Sequence, residues 1–360
     1  MGYWYELGPA GHSPALHWRS AGLRLGVKVG LLVCYVLVAF GWLFGFSQVH
    51  AQTVSTLAGS ETGAPAASVH HVTGSAMGMT WAVKWIGALE RSVVEKETKG
   101  LLAEIEGQMS TYRNDSEISR FNAFAETNWF PVSTNLARVV EVSLDIARKT
   151  DGALDPTVFP LVQVWGFGPE RRLGQLPTVK AIAVARARVG YTNLQVRLNP
   201  PAVRKLKEEV AMDVSAVAMG FAADRVGERL RQLGSTNHLV DMGGEFVARG
   251  EGPEGKGWSV GIEEPGTEGK KIQRVVVLRD ECLATSGDDR NFRTINGKRY
   301  HHIIDPHTGW PSEAKVASAT VIHTSCAQAD GWATAMVVVG REKGEALAEG
   351  NGFRMILLGR

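Results

Sequence analysis

Along most of this chain the apolar positions keep one of two spacings. Residues 94–109 set Leu101, Leu102, Ile105 and Met109 three or four apart, the spacing of one helix face. Residues 135–149, NLARVVEVSLDIARK, repeat the pattern, and residues 178–189 carry it again. Residues 79–85, MTWAVKW, alternate imperfectly and predict a strand. Short apolar runs then dominate. Residues 238–241, 246–249, 258–262, 272–278, 317–323 and 353–358 all predict strands, many joined by Gly-rich turns as hairpins are. Helices return at 214–233 and 327–339. This is neither strict strand–helix alternation nor an all-strand pattern. It predicts an α+β fold with sheet and helices in separate layers. No internal repeat and no second linker interrupts residues 70–360, which are predicted to form one body.

The N-terminus follows a different pattern. Arg19, Arg24 and Lys28 precede an uncharged apolar run at 29–46, and Val49 and Ala51 follow in the small-residue pattern of a cleavage site. Residues 1–51 therefore read as a signal peptide or an N-terminal membrane anchor. In either case the body is expected on the periplasmic side of the cell envelope, held to the inner membrane if the leader stays. Residues 52–69 are small and polar and read as a flexible linker.

Over 360 residues the formal charge is only +2, and no basic run is interleaved with aromatics. Nothing there suggests a nucleic-acid partner. Cys282 and Cys326 show no zinc spacing. They read either as one disulfide or as two buried thiols.

Several polar stretches could carry chemistry. In 213–224, DVSAVAMGFAAD, Asp213 and Ser215 stand where a helix is capped. A helix start offers N–H groups to an anion, although a plain capped, buried helix fits as well. Gly243 and Gly244 suit a tight turn or a close backbone approach. Thr285, Ser286, Gly287 and Asp288 read as a polar turn after an apolar strand. Asp330 and Thr334 are four apart, hence on one helix face. Their oxygens make half of a hard-cation site suited to Mg²⁺, or else a cap and a back-bonded hydroxyl. Tyr112 and Arg113 suit a planar anionic ligand, and residues 150–168, rich in Gly, Pro and aromatics, suit the wall of a pocket for a flat ring. In 299–311, RYHHIIDPHTGWP, Ile303 and Ile304 read as the end of a buried strand, with His301 and His302 on opposite faces and a rigid turn behind.

Taken in order, these stretches resemble the ApbE family of FAD:protein FMN transferases. The resemblance runs from about Gly74 to the C-terminus, through GSAMGMTW, MSTYRNDSEISRFN, DGALDPTVFPLV, DVSAVAMGFAAD, MGGE, TSGDDRNF, HHIIDPHTGWP and ADGWATA. It implies a T-fold-like arrangement of mixed sheets and packed helices. It also implies a reaction in which FAD is split at its pyrophosphate with Mg²⁺. FMN then passes to a Thr or Ser hydroxyl of an acceptor flavoprotein, leaving AMP. Typical acceptors are subunits of sodium-pumping or related redox complexes. By the family pattern Asp330, Thr334 and the main-chain carbonyl of Ala216 would bind Mg²⁺. Met77, Tyr112, Ala153, Leu154, Asp155, Asp213 and Ile304 would contact FAD, and His302 falls on the position of the candidate base. Met219, at the edge of the nucleotide site, stands where many relatives carry Lys or Glu, and Asp289 where a Tyr is common. Two other readings stay open: a FAD pyrophosphatase with water as acceptor, and a non-catalytic flavin-binding envelope protein. Whether the protein is a monomer or a homodimer is left open by these residues.

Overall fold

The computed structural model of the protein describes residues 68–170, 175–266 and 271–359. The predicted leader, and residues 52–67 of the predicted linker, lie outside the described residues. The chain runs through β1 (Val69–Ala76), β2 (Met79–Ile86), α1 (Arg91–Met109), α2 (Glu117–Ala123), β3 (Phe130–Pro131) and α3 (Thr134–Lys149). A short α4 (Phe159–Val164) and α5 (Val179–Arg186) lead to the hairpin β4 (Leu194–Leu198) and β5 (Pro201–Lys205). Next come α6 (Ser215–Gln232), β6 (Asn237–Met242), β7 (Glu245–Arg249), β8 (Trp258–Glu263), β9 (Ile272–Leu278) and β10 (Cys282–Gly287). The last elements are β11 (Phe292–Ile295), β12 (Lys298–His301), β13 (Val316–His323), α7 (Cys326–Val339), α8 (Arg341–Asn351) and β14 (Arg354–Gly359).

Seven strands form one antiparallel sheet in the order β1-β2-β6-β7-β10-β13-β14. Alternate residues of its strands serve two different layers. Val240, Val247, Ala284 and Val321 join the cores formed with the helices. Leu239, Phe246, Leu283 and Ile322 join Trp258, Val260 and Leu278 of the separate β8–β9 ribbon on the other side. Burial on both faces explains why the central strands read as nearly continuous apolar runs rather than clean alternations.

The helices form where the sequence supplies both a stripe and a cap. In α3 the Ser133 hydroxyl accepts the Leu136 N–H, and Leu136, Val139, Val140, Leu144 and Ala147 turn inward. Helix α7 differs, being buried on nearly every side. A carboxylate in the middle of such a helix, Asp330, is costly to bury and needs a reason.

Three expectations are corrected. Thr285 to Gly287 do not form a turn; they are the end of β10, paired with β13, and the Thr285 and Thr320 hydroxyls meet at 2.8 Å. Ile303 and Ile304 are not in a regular strand. Strand β12 stops at His301, and Ile304 makes a single bridge to Pro311. Asp305-Pro306 turns the chain at once, and a proline offers no N–H to continue a ladder. Val69, placed by sequence in the linker, already belongs to β1. Cys282 and Cys326 are both buried free thiols, the second of the two cysteine readings.

Candidate active site

Helices α6 and α7 cross closely at one point. A Cβ added to Gly220 would lie 2.2 Å from the Cys326 carbonyl oxygen and 2.8 Å from the Asp330 Cβ. The absent side chain lets the Gly220 N–H donate to Asp330 Oδ2 at 2.9 Å. In a helix that N–H also faces the Ala216 carbonyl, four residues back. Thr334, one turn after Asp330, meets the Ser286 hydroxyl at 2.9 Å. Of the sequence-predicted trio, Asp330 and Thr334 lie one turn apart on α7, where Gly220 and Ser286 meet them, and Ala216 lies one turn before Gly220 on α6. Asp330 does not cap its helix; Ser325 does, accepting the Gln328 N–H.

A second carboxylate, Asp224 of α6, fixes the crossing. It accepts the Cys326 N–H at 2.9 Å, the Ala327 N–H at 3.0 Å and the Ser325 hydroxyl at 2.9 Å. The two N–H groups belong to the first turn of α7, which has no acceptor of its own for them, and a carboxylate there also meets the positive end of the helix. Gly220 and Asp224 both lie inside the stretch read from sequence, but neither role was read there. Replacing Gly220 with Ala should push the helices apart, lower stability by roughly 1–3 kcal/mol and remove most activity. Urea unfolding midpoints alongside turnover check this; an unchanged midpoint would contradict it.

The electrostatics set Asp330 apart. Burial, reinforced by the nearby Glu245 and Asp224 carboxylates, pushes its pKa well above the ordinary carboxylate value. Burial also raises Glu245 to about 8, although Arg290 pulls it back. Among the described residues no basic side chain pairs with Asp330 within salt-bridge distance. Also among the described residues, no three His, Cys, Asp or Glu side chains converge as a metal-binding group. A hydroxyl, a carbonyl and one carboxylate form an all-oxygen set that suits Mg²⁺ with substrate phosphates filling the remaining positions. The donor chemistry therefore fits that ion.

At the start of α6 the chain satisfies much of its own backbone. Asp213 Oδ1 accepts the Ser215 N–H at 2.9 Å, and the Val217 and Ala218 N–H groups bond to the Val214 carbonyl. The expected anion cradle is largely filled by this Asp213 turn. The Asn122 side chain grips both polar groups of Met212, at 2.7 and 2.9 Å, and the Asp213 N–H donates to the Pro156 carbonyl at 2.8 Å. These bonds tie Asp213 to the loop that holds Ala153, Leu154 and Asp155. Ala153 and Leu154 are buried. Asp155 is also buried, and both its oxygens are engaged: Oδ1 by Thr157 and Oδ2 by the Tyr191 N–H at 2.8 Å. Burial raises its pKa, while those bonds and the nearby His307 pull it back.

His302 lies half-buried just past β12. Its backbone N–H and its Nδ1 both lie 3.0 Å from the Asn291 carbonyl oxygen. A carbonyl only accepts, so Nδ1 carries the proton and Nε2 keeps its lone pair. Burial pushes the ring pKa down to about 4, which keeps it neutral at physiological pH. His301 turns elsewhere, buried against the Ser312 carbonyl at 2.9 Å. The end of β10 and the segment after it join the two centres, since Ser286 touches Thr334 and Asn291 holds His302. Tyr112 belongs with His302: its hydroxyl donates to the Phe167 carbonyl at 2.7 Å, and the Phe167 ring stands edge-on to His302. Asp289 accepts the Gly266 N–H at 3.2 Å. Met77, at the β1–β2 turn with a φ of 53°, and the half-buried Met219 pack against the same core. A cleft of ≈ 630 Å³ between α4 and α5 is walled by Phe159, Gln163, Lys180 and Val184, and includes none of the residues expected at FAD.

Known proteins share this fold. The ApbE family model matches residues 77–357. A FAD:protein FMN transferase of Vibrio cholerae is 40% identical over 305 residues, covering 84% of this chain and 90% of that protein. The solved structure of the flavin transferase ApbE from Vibrio cholerae superposes with a TM-score of 0.76 at 38% identity, covering 81% of this chain and 94% of that one. The apo flavinyl transferase ApbE of Pseudomonas stutzeri gives 0.74 at 36% identity, over 81% and 92% of the two chains. The α+β fold, the matched span and these likenesses agree, and the chain belongs to the ApbE family of flavin transferases.

Proposed function

We propose that this enzyme transfers FMN from FAD to a Thr or Ser hydroxyl of an acceptor flavoprotein, with Mg²⁺ at Asp330, Thr334 and the Ala216 carbonyl. The observation that carries this reading is the buried Asp330 carboxylate, held by Gly220 and lacking a basic partner among the described residues. Bound there, Mg²⁺ would supply charge compensation to the pyrophosphate. The chain's own residues account for the rest. Met77, Tyr112, Ala153, Leu154, Asp155, Asp213, Met219 and Ile304 are proposed to hold FAD, with Asp155 fixing its loop through its two bonded oxygens. His302 receives the acceptor's hydroxyl proton at Nε2, while the Asn291 carbonyl keeps the Nδ1 proton in place. The acceptor class, a subunit of a sodium-pumping or related redox complex, and the periplasmic location extend the family resemblance and the predicted leader.

Product analysis tests the proposal. With FAD, Mg²⁺ and an acceptor subunit, AMP should form in step with protein-bound FMN. AMP accompanied only by free FMN would show a pyrophosphatase instead.

The leader is proposed to be dispensable for the chemistry, because every site residue lies beyond Gly74. A chain beginning near Val54 should transfer FMN at the full rate. A folded but inactive chain of that length would refute this.

A further inference from the structure

Among the described residues, hydrogen bonds tie the turn after Ile304 to the rest of the fold at three points. The Trp165 indole N–H donates to the Gly309 carbonyl at 2.8 Å, and Arg186 of α5 donates to the His307 carbonyl at 2.9 Å. The third point is the His307 ring. Its Nε2 lies 2.7 Å from the Asp151 carbonyl oxygen, and its Nδ1 lies 3.1 Å from Asp305 Oδ1. The ring is 156 positions along the chain from Asp151, so the contact joins two distant loops. Asp151 takes a left-handed φ of 52° and Gly152 one of 84°; a side chain at Gly152 would press on Tyr191.

Both partners of this ring are acceptors. A carbonyl oxygen cannot donate, and an ionised carboxylate cannot either. A neutral imidazole has one N–H, and would turn a lone pair toward one of these oxygens. Only the doubly protonated ring satisfies both contacts. We propose that His307 acts as an imidazolium clasp, a positioning residue that fastens the Asp305–Pro311 turn to the Asp151–Asp155 loop and so holds the two walls of the FAD site at their working separation. This rests on the reading that Asp155 and Ile304 flank FAD. The charged groups around the ring are Asp305 from its own turn, Asp151 and the buried Asp155 from the facing loop, and Arg186 from α5, whose guanidinium is committed to the His307 carbonyl. Loss of one ring proton breaks one of the two bonds and leaves a lone pair facing an oxygen. FAD affinity should then be higher with the ring doubly protonated than with it neutral.

The test uses the full chain with two variants. His307→Gln keeps a donor without the charge, and His307→Lys keeps the charge. The ring ¹⁵N signals of the FAD-bound wild type should show both nitrogens protonated at mildly acidic pH. His307→Gln should raise KM for FAD roughly tenfold, the value of one charged hydrogen bond, and leave kcat nearly unchanged. His307→Lys should keep the low KM and lose its pH dependence. A neutral ring under those conditions overturns the clasp, as does a Lys variant that follows the wild-type pH profile. A doubly protonated ring combined with an unchanged KM in the Gln variant overturns its link to FAD, and faults the placement of FAD rather than the ring's state.

Discussion

Asp330→Asn should leave a folded protein with almost no turnover. Asn matches the shape of Asp and still offers an oxygen to the Gly220 N–H, so the α6–α7 crossing should survive. What disappears is the one charged oxygen donor in the set of Asp330, Thr334 and the Ala216 carbonyl. Charge compensation at a transferring phosphoryl group is worth several kcal/mol, and about 1.4 kcal/mol is a factor of ten in rate. The expected loss is therefore on the order of 10³-fold or more. Stability without metal should be unchanged or higher, because the raised Asp330 pKa marks a carboxylate that is costly to bury in its charged form. Turnover measured across a Mg²⁺ titration, with thermal melts alongside, separates the two effects. Wild-type activity in the variant at sub-millimolar Mg²⁺ would contradict the assignment.

His302→Ala should lose roughly 10²–10⁴ in rate, the usual worth of a general base, while still binding FAD. His301→Ala is the comparison. That ring is buried against Ser312 and faces away from the Asn291 contact, so its loss should cost stability more than rate. The pH dependence has a definite sign. The His302 pKa is lowered, so the neutral, proton-accepting form persists until the pH falls through about 4. Rate profiles should therefore show no acid limb near the ordinary imidazole value of about 6.5. Equal losses in both variants, or loss of FAD binding with His302, would make the pair structural.

The sequence made the frame and the reacting groups legible for identifiable reasons. Helix α7 and strands β6, β7 and β13 carry long apolar signals, and Asp330 and Thr334 are conspicuous because polar residues interrupt one of them. The stretches that were missed have weak signals. Helix α8 buries only Gly344 and Ala348, so no stripe marks it. Strand β5 hides a fully buried Lys205, whose ammonium is spent on the Glu208 and Val210 carbonyls at 3.2 and 3.0 Å. Thr285 and Ser286 resemble turn residues, yet their hydroxyls pair across the sheet and with α7. Other missed features are relations between distant residues. That Gly220 serves Asp330, that Asp224 caps α7 and that Asn291 sets the His302 tautomer follow from a helix crossing and a strand end, and no local spacing encodes them.

The central claim is group transfer to a protein hydroxyl, and covalent flavin on the acceptor reads it directly. The full chain, FAD, Mg²⁺ and a candidate acceptor subunit are incubated together, then resolved on a denaturing gel and viewed by flavin fluorescence. The account predicts a fluorescent acceptor band that disappears when the acceptor's Thr or Ser is replaced by Ala, when Mg²⁺ is chelated, or when Asp330→Asn is used. A band that persists without the hydroxyl, or FAD consumed with no flavin on an acceptor that a Vibrio cholerae relative does label, would contradict it.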